Sequence, residues 1–285
     1  MITDGLYLSR RFAVMAIVNR TPDSFYDRGA TFALDRAIAA GEQAVAEGAA
    51  IVDVGGVPFA PGPPLPIEEE MARVVPVVRA LAPLVAVSVD TFHPEVARAA
   101  IDAGAAMIND TTGLHDPRMA DVVAAGGAAL VIAHSLAAPR TQHPVPHYDD
   151  VIAEVAAFLS ERRALALARG VPAERIVLDP GHDLNKNTRQ SLELTRRLGE
   201  LTALGSPLLV ALSNKDFVGE SLDRDRGDRL AGSLAAAVYC ALQGARIVRA
   251  HNVRETVDAL RMTEAILGWR APAYLRHNMR PEGND

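Results

Sequence analysis

Polar side chains stand directly after several short apolar runs of the sequence, at the points where β-strands would end. Most of them offer a carboxylate or amide oxygen, and Lys215, Arg249 and His251 add cationic or imidazole groups. Carboxylates and amides suit the N–H donors of a flat heterocycle, and the cationic groups suit an anion. The full set is Asn19, Asp53, Asp90, Asn109, Asp110, His134, Asp179, Ser213, Asn214, Lys215, Arg249 and His251. These residue types predict a ligand with a polar ring and a phosphate.

Each of these residues, taken singly, has a simpler interpretation. Asp and Asn often end a strand because they cap the next helix or form a turn. The functional interpretation depends on the whole set converging at one place, which requires parallel, neighbouring strands. The elements that carry the residues therefore decide between the two interpretations.

Short runs rich in Val, Ile and Leu alternate with longer segments of helical apolar spacing, which is the pattern of parallel βα units. The predicted strands are Val14–Val18, Ala50–Val54, Val85–Val89, Ala106–Ile108, Ala129–Ala133, Arg175–Leu178, Leu208–Leu212 and Arg246–Val248. The predicted helices are Phe32–Glu47, Ile67–Leu81, Pro94–Ala103, Pro117–Ala125, Tyr148–Ala168, Thr188–Leu204, Asp228–Gln243 and Val253–Leu267. Eight such units match a (β/α)8 barrel, whose active site lies at the C-terminal ends of its strands.

Two architectures fit this alternation, a closed barrel and a doubly wound open sheet. A length of 285 residues suits one barrel, since such barrels commonly have about 250 residues or more. An open sheet usually has a glycine-rich turn after its first strand, whereas here that strand runs into Asn19-Arg20-Thr21-Pro22. We therefore predict an α/β protein with a single-domain (β/α)8 TIM barrel over residues 1–285, including an N-terminal extension at 1–12 and a polar tail at 270–285.

Composition and charge exclude several classes of partner. The formal net charge is −6 and no dense run of Lys and Arg occurs, so the sequence predicts no nucleic-acid partner. No apolar stretch approaches the roughly 18 residues of a membrane span, and the N-terminus lacks a signal-peptide pattern. We therefore expect a cytoplasmic protein without a membrane partner. The single cysteine, Cys240, lies in an Ala-rich helical run and is expected to be a buried thiol.

Two other features predict no chemistry of their own. The loop histidines show no pair at the spacing of helix-borne metal ligands. The segment 219–229 is strongly charged, and we expect it to be solvated and without a chemical role.

Ordered motifs at the strand ends carry a resemblance to a known family. The first is the segment Met15 to Phe25, and the second is Val52 to Gly56. The others are Ser88-Val89-Asp90-Thr91, Ile108-Asn109-Asp110, Leu178-Asp179-Pro180-Gly181, Ser213-Asn214-Lys215 and Arg249-Ala250-His251. In order and spacing they resemble the dihydropteroate synthase family, over nearly the whole chain from Val14 to Leu267. Members of that family are (β/α)8 barrels that join a pterin-methyl pyrophosphate to p-aminobenzoate.

This resemblance implies roles for the matching residues. Those that would hold the pterin ring are Asp90, Asn109, Asp179 and Lys215. Asn19 would help to coordinate Mg2+ on the pyrophosphate, and Arg249 with His251 would bind that pyrophosphate. Lys215, Arg249 and His251 would carry catalysis by stabilising the leaving anion and positioning the reactants, without a covalent enzyme intermediate.

The chain departs from the family pattern on the side of the second substrate. A Glu-Ser-Thr-Arg-Pro-Gly type loop becomes Val57-Pro58-Phe59-Ala60-Pro61-Gly62, which removes a hydroxyl and a guanidinium. Phe-Gly-Phe-Gly-Lys becomes His182-Asp183-Leu184-Asn185-Lys186, and Ser-Arg-Lys-Ser becomes Ser213-Asn214-Lys215-Asp216. The altered positions of interest are Val57, Phe59, Leu184, Asn214 and Asp216. A carboxylate substrate that faces Asp216 would be repelled unless one of the two groups is protonated or bridged.

We therefore expect a dihydropteroate synthase-like transferase. It would move the pterin-methyl group of 6-hydroxymethyl-7,8-dihydropterin pyrophosphate to an amine co-substrate, with Mg2+ as cofactor and pyrophosphate as product. The alternatives are a non-catalytic pterin-binding paralogue and a condensing enzyme with a different acceptor. A methyl-tetrahydrofolate domain is disfavoured by Asn19, Arg249 and His251, which suit a pyrophosphate. By analogy with related barrels, Ser233 to Leu242 and Thr256 to Leu267 are candidate faces of a homodimer, although ordinary packing also explains their small residues.

Overall fold

Eight parallel strands form one closed sheet in the computed structural model, which describes residues 12–20, 33–57, 61–138, 140–141, 145 and 147–278. The strands are β1 (Ala13–Asn19), β2 (Ile51–Gly55), β3 (Ala86–Asp90), β4 (Met107–Asp110), β5 (Ala129–Ala133), β6 (Ile176–Asp179), β7 (Leu208–Ala211) and β8 (Ala245–Ala250). Strand β1 pairs with both β2 and β8, with Met15 beside Ile51 and Val14 beside Val248. The predicted (β/α)8 barrel is confirmed, and the doubly wound open sheet is excluded.

Helices between the strands cover the outside of the barrel. In the described residues they are α1 (Leu34–Ala46), α2 (Ile67–Leu81), α3 (Pro94–Asp102), α4 (Arg118–Gly126), α5 (Val151–Ala168), α6 (Thr188–Arg196), α7 (Asp216–Leu222), α8 (Leu230–Leu242) and α9 (Val253–Ile266). Strand residues such as Val52 and Val87 share one buried apolar cluster with helix residues such as Val77 and Leu81. None of the described helices is long and apolar enough to cross a membrane. Cys240 is buried in α8, as expected, and burial raises the pKa of its thiol to about 12.

Two helical segments differ from the sequence prediction. The predicted helix Thr188–Leu204 is divided, because α6 ends at Arg196 and a 3-10 helix covers Leu198–Leu204. Helix α7 was not predicted, and its second half falls in the segment 219–229 that we expected to be solvated. The last residue of that segment, Arg229, is 9% exposed, so the expectation is wrong there.

The interior of the barrel explains why the polar residues lie at one end. Alternate residues along a strand point inward. The middle of the barrel is filled by an apolar layer to which all eight strands contribute, consisting of Ala13, Met15, Ile51, Ala86, Met107, Ala129, Val131, Val177, Leu209 and Ile247. Two residues further along their strands, on the same face, stand Asp53, Asn109, Asp179 and Arg249. The apolar layer is therefore the floor of a polar mouth at the C-terminal ends of the strands.

Candidate functional site

Asp53 is the centre of a hydrogen-bonded network in this polar layer. Its carboxylate is fully buried, and Oδ2 accepts hydrogen bonds from Asn109 Nδ2 at 3.0 Å and from Arg249 Nε at 2.7 Å. Arg249 also donates from Nη2 to Asp90 Oδ2 at 3.1 Å. The network brings together three predicted site residues, Asp90, Asn109 and Arg249. Asp53 belongs to the predicted set of strand-end residues, but the family resemblance gave it no role.

Three buried polar atoms of this layer have no hydrogen-bond partner among the described residues. They are Asp53 Oδ1, Ser88 Oγ and Asn109 Oδ1. Asp53 lies beside Ser88 in the register of β2 and β3, and Ser88 lies beside Met107, two residues before Asn109. Buried polar groups are nearly always hydrogen-bonded in native proteins, so these atoms indicate a site for a ligand or an ordered water. Because Asn109 donates its N–H to Asp53, the layer offers acceptors to a ligand edge that carries N–H groups.

Burial shifts the pKa values of the charged groups around the network. It raises the pKa of Asp90 to about 7, while Arg249 lowers that pKa and Asp53 raises it. Burial also raises the pKa of Asp179, although the hydrogen bond that the Gly181 backbone N–H donates to Oδ1 at 2.7 Å lowers it. The pKa of Lys215 is lowered by burial, although the carboxylates of Asp183 and Asp179 oppose this shift. The acids and the lysine of the mouth therefore interact in surroundings that are only partly open to water.

Asn19 and His251 lie at the ends of β1 and β8. The His251 backbone N–H donates to Ser213 Oγ at 3.3 Å, and His251 Nδ1 lies 3.3 Å from the same oxygen. Asn19 Oδ1 faces the next strand closely, since a Cβ added at Gly55 would lie 3.0 Å from it. The described residues contain no group of three or more acidic, His or Cys side chains that could hold a metal alone. An amide oxygen with phosphate oxygens and water is, however, a ligand set that Mg2+ accepts.

Of the residues predicted for the second-substrate side, Val57, Leu184 and Asn214 lie in the loops after β2, β6 and β7, and Asp216 begins α7. Leu184 is buried and Val57 is half-buried. Asn214 has a left-handed backbone with φ of 59°, and its Nδ2 is buried with no partner in the part of the chain that the structure describes. Phe59 lies outside the described residues, as do Thr21 to Phe25 of the first loop motif.

Asp216 does not present an uncompensated carboxylate. Its Oδ1 accepts a hydrogen bond from Arg229 Nη1 at 2.8 Å, and Arg226 Nη2 lies 3.8 Å from the same oxygen. Arg229 Nη1 also donates to the carbonyl oxygens of Asn214 and Lys215, at 3.0 and 3.1 Å. The repulsion between Asp216 and a carboxylate substrate was expected only if Asp216 is not bridged, and here two guanidinium groups offset its charge. Arg229 instead fixes the loop that carries Lys215.

Lys186 is a buried group that the sequence prediction did not include. Its Nζ donates to the carbonyl oxygens of Gly181 at 2.9 Å and Leu184 at 3.0 Å, and lies 2.8 Å from His134 Nδ1. Burial lowers the pKa of Lys186 to about 7. Burial and the charge of Lys186 lower the pKa of His134 to about 3. Both residues therefore position the loop after β6, which carries the altered sequence.

We expect Lys186→Met to lower the free energy of unfolding by about 2–4 kcal/mol, because two buried carbonyl groups and His134 would lose a partner. Urea denaturation at pH 7 measures the change. Arg189→Met, on the exposed face of α6, is the matched control and should change stability by less than about 0.5 kcal/mol. Equal stability of the Lys186→Met variant and the parent would contradict this role.

Similarity to known proteins agrees with the geometry. The family model described as "pterin binding enzyme" matches residues 15–251. A protein named inactive dihydropteroate synthase 2, from Mycobacterium leprae, is 47% identical over 274 residues, which cover 92% of this chain and 93% of that protein. Dihydropteroate synthase from Escherichia coli is 42% identical over 257 residues, covering 89% of this chain and 91% of that protein.

A solved structure gives the same result. Xanthomonas albilineans dihydropteroate synthase with 4-aminobenzoic acid superposes with a TM-score of 0.83 at 42% identity, over 90% of this chain and 93% of that chain. The resemblance inferred from the motifs is confirmed, because the family model spans most of the chain and the barrel coincides with a solved member. The chain therefore belongs to the pterin-binding enzyme family and is a dihydropteroate synthase-type barrel, similar both to active synthases and to a paralogue named inactive.

Proposed function

We propose that this protein binds 6-hydroxymethyl-7,8-dihydropterin pyrophosphate in the polar mouth of the barrel and transfers its pterin-methyl group to an amine, with release of pyrophosphate. The observation that carries the proposal is the pair of buried acceptors, Asp53 Oδ1 and Asn109 Oδ1, that lack a partner among the described residues. Asp90 and Asp179 are the last residues of β3 and β6, at the same end of the barrel. The edge of a pterin ring supplies the N–H donors that such acceptors require.

The remaining groups suit the departure of pyrophosphate. Arg249 Nε is held by Asp53, which directs the guanidinium into the mouth, and His251 lies two residues further along the chain. Together they would bind the leaving anion, while Lys215 would balance the charge of Asp179.

The amine attacks the pterin methylene carbon as the bond from that carbon to the pyrophosphate oxygen breaks, and the amine then loses a proton. These residues act by electrostatic stabilisation and positioning, without covalent attachment.

Mg2+ belongs to the same proposal. Asn19 would hold the ion together with pyrophosphate oxygens and water, and the ion would neutralise part of the charge that develops on the leaving group.

We also propose a cytoplasmic location and a homodimer that forms through the last two helices. Leu242, Met262 and Ile266, on α8 and α9, each expose more than half of their surface. A sedimentation mass of one chain would exclude the dimer.

A non-catalytic pterin-binding paralogue is the second candidate. Two observations favour it: the similarity to a protein named inactive dihydropteroate synthase 2, and the altered loops after β2, β6 and β7. This candidate shares the pterin site with the first and differs only in the absence of turnover.

Pyrophosphate release separates the two candidates. The purified protein is supplied with Mg2+ and 6-hydroxymethyl-7,8-dihydropterin pyrophosphate, with and without p-aminobenzoate or other aromatic amines, and binding is measured in parallel by calorimetry. Release that depends on an amine supports the transferase. Binding without release for any amine supports the paralogue. Absence of both binding and release would contradict the two candidates together.

A further inference from the structure

Asp183 joins the loop after β6 to the start of α7. Its Oδ2 accepts hydrogen bonds from the backbone N–H groups of Asp216 at 2.7 Å and Phe217 at 3.3 Å. Its Oδ1 accepts a hydrogen bond from Ser191 Oγ at 2.9 Å, and the Asp183 backbone N–H donates to that hydroxyl oxygen at 3.2 Å. Both carboxylate oxygens are therefore engaged, and the groups that donate to them are neutral.

This carboxylate lies beside the lysine of the mouth. Asp216 directly follows Lys215, so the N–H groups that Asp183 occupies are those immediately beyond the lysine. The neighbouring Asp216 is offset by Arg229 at 2.8 Å. Asp183 instead accepts its hydrogen bonds from neutral donors, and the residue is partly exposed. On the second-substrate side, Asp183 is thus a carboxylate that no guanidinium binds and whose charge acts on Lys215.

We propose that Asp183 determines the charge of the second substrate, an inference that rests on the transferase function proposed above. Its carboxylate occupies two backbone donors next to Lys215 and reduces the positive charge that this lysine offers to an anion. An acceptor amine that carries a carboxylate finds those donors taken and loses its water without gaining a new partner. A neutral amine avoids this cost, so the substrate class is an amine without a carboxylate.

The backbone at this position allows the charge to be removed without loss of the fold. Asp183 has φ of 60°, a left-handed conformation that Asn tolerates as well as Asp and that Gly adopts without strain. In Asp183→Asn the amide oxygen can still accept from Asp216 N and Phe217 N, while the NH2 group faces Ser191 Oγ. In Asp183→Gly the two N–H groups become accessible. Thermal denaturation shows directly that both variants fold.

The test compares two second substrates of nearly equal shape, 4-aminobenzoate and the uncharged 4-aminobenzamide. Each is titrated by calorimetry into protein saturated with Mg2+, pyrophosphate and 6-hydroxymethylpterin. We expect the parent protein to bind the amide at least about tenfold more tightly than the acid. Asp183→Asn should reduce that preference by about tenfold, by strengthening the binding of the acid while changing that of the amide by less than about threefold. Asp183→Gly should strengthen the binding of the acid at least as much.

Asp223→Asn is the matched control, because Asp223 is exposed, also has a left-handed backbone, and follows α7 at its other end. The Asp223→Asn variant should prefer 4-aminobenzamide over 4-aminobenzoate by the same factor as the parent. A preference in Asp183→Asn within about twofold of the parent overturns the inference, as does binding of the pterin with no binding of either amine. Failure of 6-hydroxymethylpterin to bind in its own titration overturns the proposed function instead, so the two failures are distinguishable.

Discussion

Arg249→Met is expected to lower the free energy of unfolding by about 3–5 kcal/mol, because it leaves the buried carboxylate of Asp53 without its cationic partner. Asp53 is 0% exposed, and Arg249 Nε donates to it at 2.7 Å. The same substitution should abolish measurable binding of pyrophosphate, since Arg249 is the cation that we place beside the leaving group. Urea denaturation and calorimetric titration with Mg2+ pyrophosphate measure the two effects separately.

A double variant separates stability from binding. In Asp53→Asn with Arg249→Met, the fully buried charge is removed, and Asn109 Nδ2 can still donate to the new amide oxygen. Asp90 still lacks the hydrogen bond from Arg249, so the recovery is expected to be partial. We expect the double variant to recover about 2 kcal/mol or more relative to Arg249→Met, without recovering pyrophosphate binding. The control is Arg246→Met on the same strand, where the guanidinium lies 5.9 Å from the Phe12 and Trp269 ring centres instead. If Arg249→Met were as stable as the parent, Asp53 would not depend on this ion pair.

The barrel could be predicted because the sequence patterns that indicate it are local to each strand and helix. Each strand is a short apolar run and each helix has its own apolar spacing, so eight units are visible without knowledge of their contacts. The convergence of Asp90, Asn109, Asp179 and Arg249 on one mouth also follows, since parallel strands of a barrel end on the same side. A feature of the sequence also indicated the central role of Asp53. It is an acid between Val52 and Val54 in a buried strand, and a buried acid needs a partner.

The second-substrate side could not be predicted in the same way, because its contacts join residues far apart in sequence. Asp183 binds backbone groups 33 and 34 residues later, and Arg229 reaches back to Asp216 from a charged segment that resembles a solvated one. The left-handed backbone at Asp183 and Asn185 is also invisible in a sequence that has no glycine there. Sequence reasoning consequently considered the charge of Asp216, whereas the structure pairs Asp216 with Arg229 and places a second carboxylate, that of Asp183, on the backbone donors beside Lys215.

Pterin affinity is expected to fall as the pH is lowered through 7, because Asp90 must be ionised to accept N–H groups from the ring. Burial raises the pKa of Asp90 to about 7 in the protein, and hydrogen bonds from a bound ligand would lower that pKa again. The protonated form therefore competes with binding below that value and not above it. Calorimetric titration with 6-hydroxymethylpterin between pH 5 and 9 should show a plateau above about 7.5 and a loss approaching about tenfold per pH unit below about 6.5.

Asp90→Asn should weaken pterin binding by about 100-fold at pH 8, because hydrogen bonds to a charged acceptor are replaced by weaker ones to an amide. It should also remove most of the slope between pH 5 and 7, which a loss of folding alone would not do. The control is Asp102→Asn, since Asp102 is exposed at the end of α3, the helix that follows β3. This variant should keep both the pterin affinity and the pH slope of the parent. An unchanged slope in Asp90→Asn would assign the titration to another group, of which Asp179 is the first candidate, since burial raises its pKa as well.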